Sequence, residues 1–296
     1  MSLAIGAKLQ NSGPLALRVG IPELARGLEA AGFESLWVSD HIVMPAAIES
    51  RYPFAADGRA TWPAETPYLD ALVALALAAA VTERALLGTA VLVLPLRNPV
   101  EFAKQAASID VASGGRLTLG VGAGWLEEEF AALGVPFERR GARLEEWVSI
   151  ARECWTGRPR ASSSERFTLP GGMLCLPTPA HAIPVLVGGH SRAALRRAGR
   201  MADGWLAQQA LAQLAPDELA AAARLMRAAA AEAGRDPARL RVVLRVVDAG
   251  GRAEQLALKL PALAAAGVAE IIVDAAWDGG DPARDYAVLR DGASGA

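Results

Sequence analysis

Histidine and cysteine are nearly missing from this chain, with three and two copies in 296 residues, and that scarcity removes several kinds of chemistry at once. Cys154 and Cys175 have no second cysteine or histidine at ligand spacing, which argues against a structural disulfide or a zinc site. His41, His181 and His190 are too few for a His-rich catalytic centre, so no metal is expected. Positive charge is in no excess either. The formal net charge is -2, whereas a nucleic-acid protein normally presents a basic face, so no nucleic-acid partner is expected. The strongly apolar stretch Ala71–Thr82 falls short of the roughly 18 residues a membrane helix needs, so no membrane association is expected. Met1 leads straight into an apolar run without a basic stretch or a cleavage site, the pattern of a cytoplasmic protein. The G-x-S-x-G elbow, the HExxH helix motif and the phosphate-binding P-loop are all missing, which takes away the usual signatures of serine hydrolysis, zinc proteolysis and nucleotide hydrolysis.

Apolar residues, by contrast, make up 52% of the chain, and they come in a repeating order. Eight short runs carry them: Leu3–Leu9, Glu34–Ser39, Ala85–Leu94, Arg116–Gly122, Ile183–Gly189, Asp203–Ala207, Leu240–Val247 and Ala269–Ala275. Rich in Val, Ile and Leu and too short for helices, they read as strands buried on both faces. Between them lie alanine-rich stretches with apolar residues at helical spacing, among them Pro22–Ala31, Tyr68–Thr82, Val100–Ala112 and Arg192–Met201. Strand then helix, eight times over, predicts an α/β fold of the (β/α)8 TIM-barrel type, and the length suits the usual ~250 residues plus insertions. No linker or break in composition divides the repeat, so residues 1–296 are expected to form one domain.

Two insertions interrupt the repeat, one after strand 2 and one between strands 4 and 5. The first, Asp40–Pro67, holds four prolines and the aromatics Tyr52, Phe54 and Trp62. It starts at a strand's carboxyl end, where barrels of this kind carry their active sites, and loops this long serve as lids or binding loops. The second, Gly157–Ala182, contains Ser162–Ser164, Gly171-Gly172, Pro177 and Pro179.

The remaining polar punctuation gathers just after the strands. Strand 2 ends in Asp40-His41: such a pair either positions a proton donor at the mouth, or consists of a turn-starting Asp and a His packed under the lid. Gly88 in the third strand marks either a bulge with close ligand approach or plain packing, and the small residues Thr89 and Ala90 follow it. The fourth strand ends in Gly120-Val121-Gly122-Ala123-Gly124-Trp125. Its alternating glycines either bare backbone amides to a planar ligand or thin a crowded interior, and they miss the dinucleotide fingerprint by one residue. Glu127, Glu128 and Glu129 read as a solvated helix start favoured by the helix dipole. After the fifth strand, Gly188-Gly189-His190-Ser191 leads directly into a helix, an arrangement that suits an anion, with Ser191 as cap or donor and His190 as either spacer or contact. Asp248, Asp274 and Asp278 stand near strand ends, where each either joins the site or caps a turn.

Three long segments stand in register on this repeat: FESLWVSDHIVMP, LGTAVLVLPLRNPVEFAKQAASIDVASGGRLTLGVGAGWLEEEFAALGVPFERRG and VLVGGHSRAALRRAGRMADGW. Together they resemble the bacterial luciferase-like monooxygenase superfamily, and within it the branch of F420-dependent oxidoreductases. The likeness is detailed from Leu3 to Leu206 and looser to Val273. It implies a TIM barrel with a flavin or deazaflavin across the carboxyl ends of the strands. By that likeness His41 transfers a proton or polarises the ring, and Asp40 orients it. Ala90-Val91 match a third-strand bulge where relatives carry a non-prolyl cis peptide behind the ring. Gly122, Ala123 and Gly124 match the loop beside the cofactor, and Gly188, Gly189, His190 and Ser191 its phosphate end. Sugar-phosphate dehydrogenase members have a glutamate where this chain has Trp125, so sugar-phosphate chemistry does not carry over, and Trp125 and Trp62 are expected to wall a substrate pocket.

The cofactor implied is coenzyme F420, with FMN as the alternative. Arg51, Arg59, Arg97 and Arg192 are the candidates to line a cationic groove for the F420 tail. The expected function is an F420-dependent oxidoreductase that moves a hydride between deazaflavin C5 and a small organic substrate under the lid. Alternatives are an FMN-dependent two-component monooxygenase fed by a separate cofactor reductase and a non-catalytic flavin-binding or deazaflavin-binding barrel. A metal-free hydrolase on the same barrel is a further reading, which predicts no chromophore affinity. Relatives of this kind are often dimers, so a homodimer is expected, with the Tyr68–Thr82 and Val100–Ala112 helices either at the interface or facing the core.

Overall fold

The computed structural model describes residues 3–55, 57–277 and 279–294; Asp278, one of the strand-end acids, lies outside the described residues. Strand β1 (Ala4–Lys8) is followed by helices α1 (Pro14–Val19) and α2 (Ile21–Ala31), β2 (Ser35–Val38) by α3 (Ala71–Ala79), and β3 (Leu86–Val93) by α4 (Pro99–Ala112). Strand β4 (Leu117–Gly122) leads to α5 (Glu127–Ala132) and α6 (Arg140–Trp155), after which β5 (Ser162–Ser163) and β6 (Thr168–Leu169) form a small antiparallel hairpin in the second insertion. The chain continues through β7 (Val185–Gly188), α7 (Arg192–Met201), β8 (Gly204–Ala210), α8 (Pro216–Glu232) and β9 (Arg241–Val247). It ends with α9 (Ala253–Ala257), α10 (Leu260–Ala265), β10 (Glu270–Val273) and α11 (Pro282–Ser294). Leaving out the hairpin, the strands close into a parallel barrel in the order β1-β10-β9-β8-β7-β4-β3-β2. This is the expected TIM barrel, with both insertions where the repeat was interrupted.

Helix α3 is shorter than its apolar stretch suggests. Asp70 accepts from the amides of Leu72 (2.9 Å) and Val73 (3.0 Å) and so fixes the start at Ala71. Tyr68 instead pairs with Ser12 across an isolated bridge that ties the lid's end to the loop after β1.

Side chains alternate along each stave, because successive residues of a strand point to opposite faces. Ile5, Ala7, Leu36, Leu87, Leu119, Val187, Leu244 and Ile271 face outward into the main core beneath the helices. Trp37, Ala90, Leu186, Leu206, Val243 and Ile272 form a separate cluster inside the barrel. Below them lies a buried polar layer, in which Glu270 accepts from Ser35 Oγ (2.5 Å), Trp37 Nε1 (3.0 Å) and Arg241 Nη2 (2.8 Å). Burial pushes the Glu270 carboxyl up, against the opposing pull of Ser35, Arg241 and Trp37. Gly88 resolves as a packing residue, since a Cβ there would stand 2.4 Å from the Trp37 ring.

The same alternation carried one step toward the carboxyl ends assigns the layer above the apolar one. Two residues beyond Gly6, Val243, Leu206, Ile272 and Leu186 stand Lys8, Arg245, Gln208, Asp274 and Gly188. These residues, with Ala90 and Gly122, make the floor of the barrel mouth.

Candidate active site

Asp40 and His41 sit side by side after β2, but they serve different ends. The Asp40 side chain is buried and both its oxygens are taken: Arg97 grips it with Nη1 (2.6 Å) and Nη2 (2.8 Å), and the Val93 amide donates at 2.8 Å. Arg97 also reaches Asp70 at 3.2 Å. Burial works against the Arg97 charge, yet Asp40 and Asp70 more than restore it and raise its pKa. Asp40 is therefore a clamp joining the ends of β2 and β3 to the start of α3. The expectation that it orients His41 is corrected, and so is the placing of Arg97 in a cofactor groove.

The residue that orients His41 is Glu129. Its buried carboxylate lies 3.1 Å from His41 Nδ1 and also accepts from the amides of Ile42 (2.6 Å) and Val43 (3.3 Å). With Nδ1–H committed to a carboxylate, Nε2 is the nitrogen left for a ligand. The neighbouring Glu128 holds the lid further along. It accepts from the amides of Glu49 (2.7 Å) and Ser50 (3.0 Å) and from Ser50 Oγ (2.6 Å), while Ser50 Oγ accepts from the Glu127 amide at 2.9 Å. Burial raises the Glu128 carboxyl, and the Ser50 hydroxyl with the amides of Glu128, Ser50 and Glu49 together outweigh it, bringing the pKa down to about 2. Glu127 stays exposed at the start of α5, as a solvated helix start would, whereas Glu128 and Glu129 staple the lid. One signal was available in the sequence: a 28-residue excursion with few strand or helix partners must find acceptors for its amides elsewhere.

The lid's aromatics close over the mouth. His41 stands at ring-centroid distances of 5.2 Å from Tyr68 and 6.0 Å from both Trp62 and Trp125. Tyr52 bridges Trp62 (5.0 Å) and Trp125 (5.1 Å), and its hydroxyl accepts from Gln208 Nε2 at 2.9 Å. Phe54 reaches across to His190 at 5.5 Å. Burial lifts the Tyr68 hydroxyl to about 12 and raises that of Tyr52 as well. Trp62 and Trp125 therefore wall one enclosure together with His41.

At the ends of β3, β4 and β7 the mouth is built around Val91. The Ala90–Val91 peptide is cis, and the β3–β4 register shifts between Thr89 and Leu92. Glycines on the adjacent β4 and on the next strand, β7, make room for the bulge: a Cβ on Gly122 would lie 2.6 Å from Val91 Cγ2, and one on Gly188 would lie 2.7 Å from Val91 Cγ1. Gly124 and Gly189 have φ of +86° and +111°, which keeps side chains out of the turns that follow. Ala123, between Gly122 and Gly124, is half-buried against the core.

At the β7 end, Ser191 caps α7 by accepting from the Ala194 amide at 3.1 Å. His190 remains exposed at one side and packs its ring on Trp205 (5.3 Å), where its Nε2 accepts from the Gln208 amide at 3.0 Å and partial burial lowers its pKa. It is thus a neutral brace of the loop rather than a charged contact. Along α7, Arg196, Arg197 and Arg200 are engaged with Glu232 or Glu145, so Arg192 is the arginine of the first turn. Arg51 and Arg59 line one polar cavity of about 540 Å³ in the lid, together with Ser50 and the acids Glu49 and Asp57.

The model of one family, luciferase-like monooxygenase, matches residues 13–288. The chain belongs to the luciferase-like monooxygenase family. An uncharacterized protein of Mycobacterium tuberculosis (strain ATCC 25618 / H37Rv) is 40% identical over 183 residues, which span 62% of this chain and 63% of that protein. An F420-dependent glucose-6-phosphate dehydrogenase of Nakamurella multipartita is 34% identical over 189 residues, covering 63% of this chain and 51% of that enzyme. Among solved structures, an F420-dependent secondary alcohol dehydrogenase superposes with a TM-score of 0.78 at 18% identity, covering 98% of this chain and all of its own. The oxygenating constituent of 3,6-diketocamphane monooxygenase from Pseudomonas putida, in complex with FMN, superposes with a TM-score of 0.73 at 17% identity, covering 98% and 96%. At such identities the two structures speak for the fold.

This luciferase-like barrel meets the chemical demands of a flat redox cofactor on its own geometry. Gly122 and Gly188 give up their side chains to the Val91 methyls, so the backbone of β4 and β7 beside the Ala90–Val91 bulge carries no side chain of its own toward a flat ring. Among the described residues, Trp62 Nε1 in the lid and Gln10 Oε1 just past β1 are buried without a hydrogen-bond partner, as is Trp277 Nε1 after β10. Buried polar groups rarely stay unpaired, so the Trp62 donor and the Gln10 acceptor are compatible with a bound polar group or water.

Proposed function

We propose that this chain is an F420-dependent oxidoreductase acting on a small organic molecule under the lid. The observation that carries the proposal is the division of the mouth. One half, at β3, β4 and β7, is stripped of side chains around Val91; the other half presents an imidazole whose orientation Glu129 fixes. When bound, the deazaflavin would supply two-electron hydride transfer. The residues proposed to hold it are Ala90, Val91, Gly122, Ala123 and Gly124 beside the ring and Gly188, Gly189, His190 and Ser191 toward the phosphate. Arg51, Arg59 and Arg192 are suited to an acidic tail. His41 would give or take the proton that accompanies hydride movement through Nε2, with Glu129 holding the ring in place. Tyr52, Trp62 and Trp125 would exclude water from the reacting atoms. Relatives at 34–35% identity named as F420-dependent enzymes favour this cofactor. Trp125 and the clamp at Asp40 give no support to sugar-phosphate chemistry.

The experiment is a parallel titration of the purified protein with F420 and FMN, oxidised and reduced, followed by cofactor fluorescence. Micromolar or tighter binding of F420 with FMN much weaker is expected. A preference for FMN would replace this reading with a two-component monooxygenase that relies on a separate reductase, as the FMN-bound structural neighbour suggests. Binding of neither would sink it. A homodimer is also proposed, because Val73 and Leu77 leave α3 with an exposed apolar face; light scattering after size exclusion tests it, and a monomeric mass would refute it.

A further inference from the structure

The charged half of the floor has no part in holding the cofactor as proposed above. Lys8 ends β1, Arg245 faces inward from β9, and Asp274 follows β10, three neighbouring staves on the side of the barrel away from β4 and β7. Arg245 Nη1 spans the mouth to the Ala90 carbonyl (3.1 Å) and Ser39 Oγ (3.4 Å), which leaves the rest of its guanidinium fork uncommitted to those two atoms. Lys8 is half-buried and its ammonium has no hydrogen-bond or ion-pair partner among the described residues. Burial and the like charge of Arg245 bring its pKa down to about 8, with Asp274 pulling the other way. Two cations thus face the Asp274 carboxylate in a half-buried layer, with the hydroxyls of Tyr52 and Tyr68 near Arg245, Glu129 near Tyr68 and the Asp248 carboxylate on the far side, near Tyr52. Above this layer stand the aromatic walls of Tyr52, Trp62 and Trp125.

We propose that Lys8 and Arg245 form an oxyanion-binding floor that selects substrates with a flat apolar body and one carboxylate, the body lying among the lid aromatics and the carboxylate on the Lys8 ammonium. An incoming anion gives the ammonium the partner it lacks and offsets its desolvation, which a neutral ligand does not. The selection rests on the reading of this mouth as the reacting site. Its test uses the chain without cofactor, so a failure to bind carboxylate and a failure to bind deazaflavin are seen separately.

The probes are benzoate and its uncharged analogue benzamide, titrated against the full chain by tryptophan fluorescence at pH 6.5, with Lys8→Met as the variant and its melting temperature as the check on folding. Wild type should bind benzoate at least about tenfold tighter than benzamide, and Lys8→Met should lose that preference while keeping its affinity for benzamide. Raising the pH through about 8 should weaken benzoate binding in wild type and leave Lys8→Met unchanged. Saturating benzoate should also move the titration of the Lys8 amine upward, followed by 15N resonance. Equal affinity of wild type for the two probes, no benzoate binding at all, or undiminished benzoate binding by a folded Lys8→Met each overturn the proposal. If Lys8→Met does not fold, Lys8→Gln and the wild-type pH profile decide by the same criteria.

Discussion

Replacing Arg97 with methionine tests whether Asp40 is a clamp or a reacting group. In the folded chain the Asp40 side chain is 1% exposed and Arg97 is 10% exposed, with two short hydrogen bonds between them. Arg97→Met removes both and leaves the carboxylate with the Val93 amide. Removing one partner of a buried pair costs roughly 3–5 kcal/mol, because the other charge is stranded away from water. At roughly 2–4 °C per kcal/mol for a protein of this size, the melting temperature should fall by about 6–20 °C. The double variant Asp40→Leu with Arg97→Met strands no charge and should lose less than the sum of the single losses, with a coupling of at least about 2 kcal/mol. Arg97→Lys should fall between, since a single ammonium cannot reproduce the two-pronged grip. Urea unfolding followed by tryptophan fluorescence, with calorimetry alongside, gives all four values. A loss under about 1 kcal/mol for Arg97→Met, the range of exposed ion pairs, would refute the clamp.

Three further outcomes follow from the same geometry. Glu129→Gln keeps an acceptor for the Ile42 amide but turns an N–H toward His41 Nδ1, which forces the proton onto Nε2; turnover should fall by about 100-fold with little change in KM, and steady-state kinetics showing full turnover would remove His41 from proton transfer. Gly188→Ala places a Cβ 2.7 Å from Val91 Cγ1 and should cost about 1–3 kcal/mol and weaken cofactor binding. Adding Val91→Ala should restore much of the stability, and a double variant no better than the single one would contradict this packing. Glu128 titrates lower in the folded chain than in the unfolded one, from 4.5 down to about 2, so its hold on the lid is complete above pH 4.5 and fades as pH falls toward 2. At pH 7 Glu128→Gln should speed hydrogen exchange at the amides of Glu49 and Ser50, and unchanged exchange there would show that the staple lies elsewhere.

The candidate site was legible in the sequence only in part. Val91's glycine neighbours stood out because three glycines at alternate positions of one strand and two at the end of another have few explanations in a barrel. The lid's aromatics were visible for the same reason, as apolar rings inside a proline-rich loop. Glu129 was not visible. Consecutive glutamates at a helix start are favoured by the dipole whether they are solvated or buried, and the atoms that give Glu129 its role lie 86 to 88 positions earlier. Arg97 and Asp40 are likewise 57 positions apart, and nothing local distinguishes a groove arginine from a clamped one.

By itself the sequence determined the barrel. Eight Val-rich, Ile-rich and Leu-rich runs cannot be satisfied except by burial on both faces, and each is followed by a helix able to cover it, so local pattern and global fold have one common solution. It also pointed to the carboxyl ends of the strands as the candidate site, since polar and glycine residues gather there. Only the tertiary structure decided partnership: that Asp40 belongs to Arg97, that His41 belongs to Glu129, and that Lys8 belongs to no residue described in the chain. Hydrogen bonds and charge pairs act over a few ångströms, and closing a barrel sets which distant residues fall within that range.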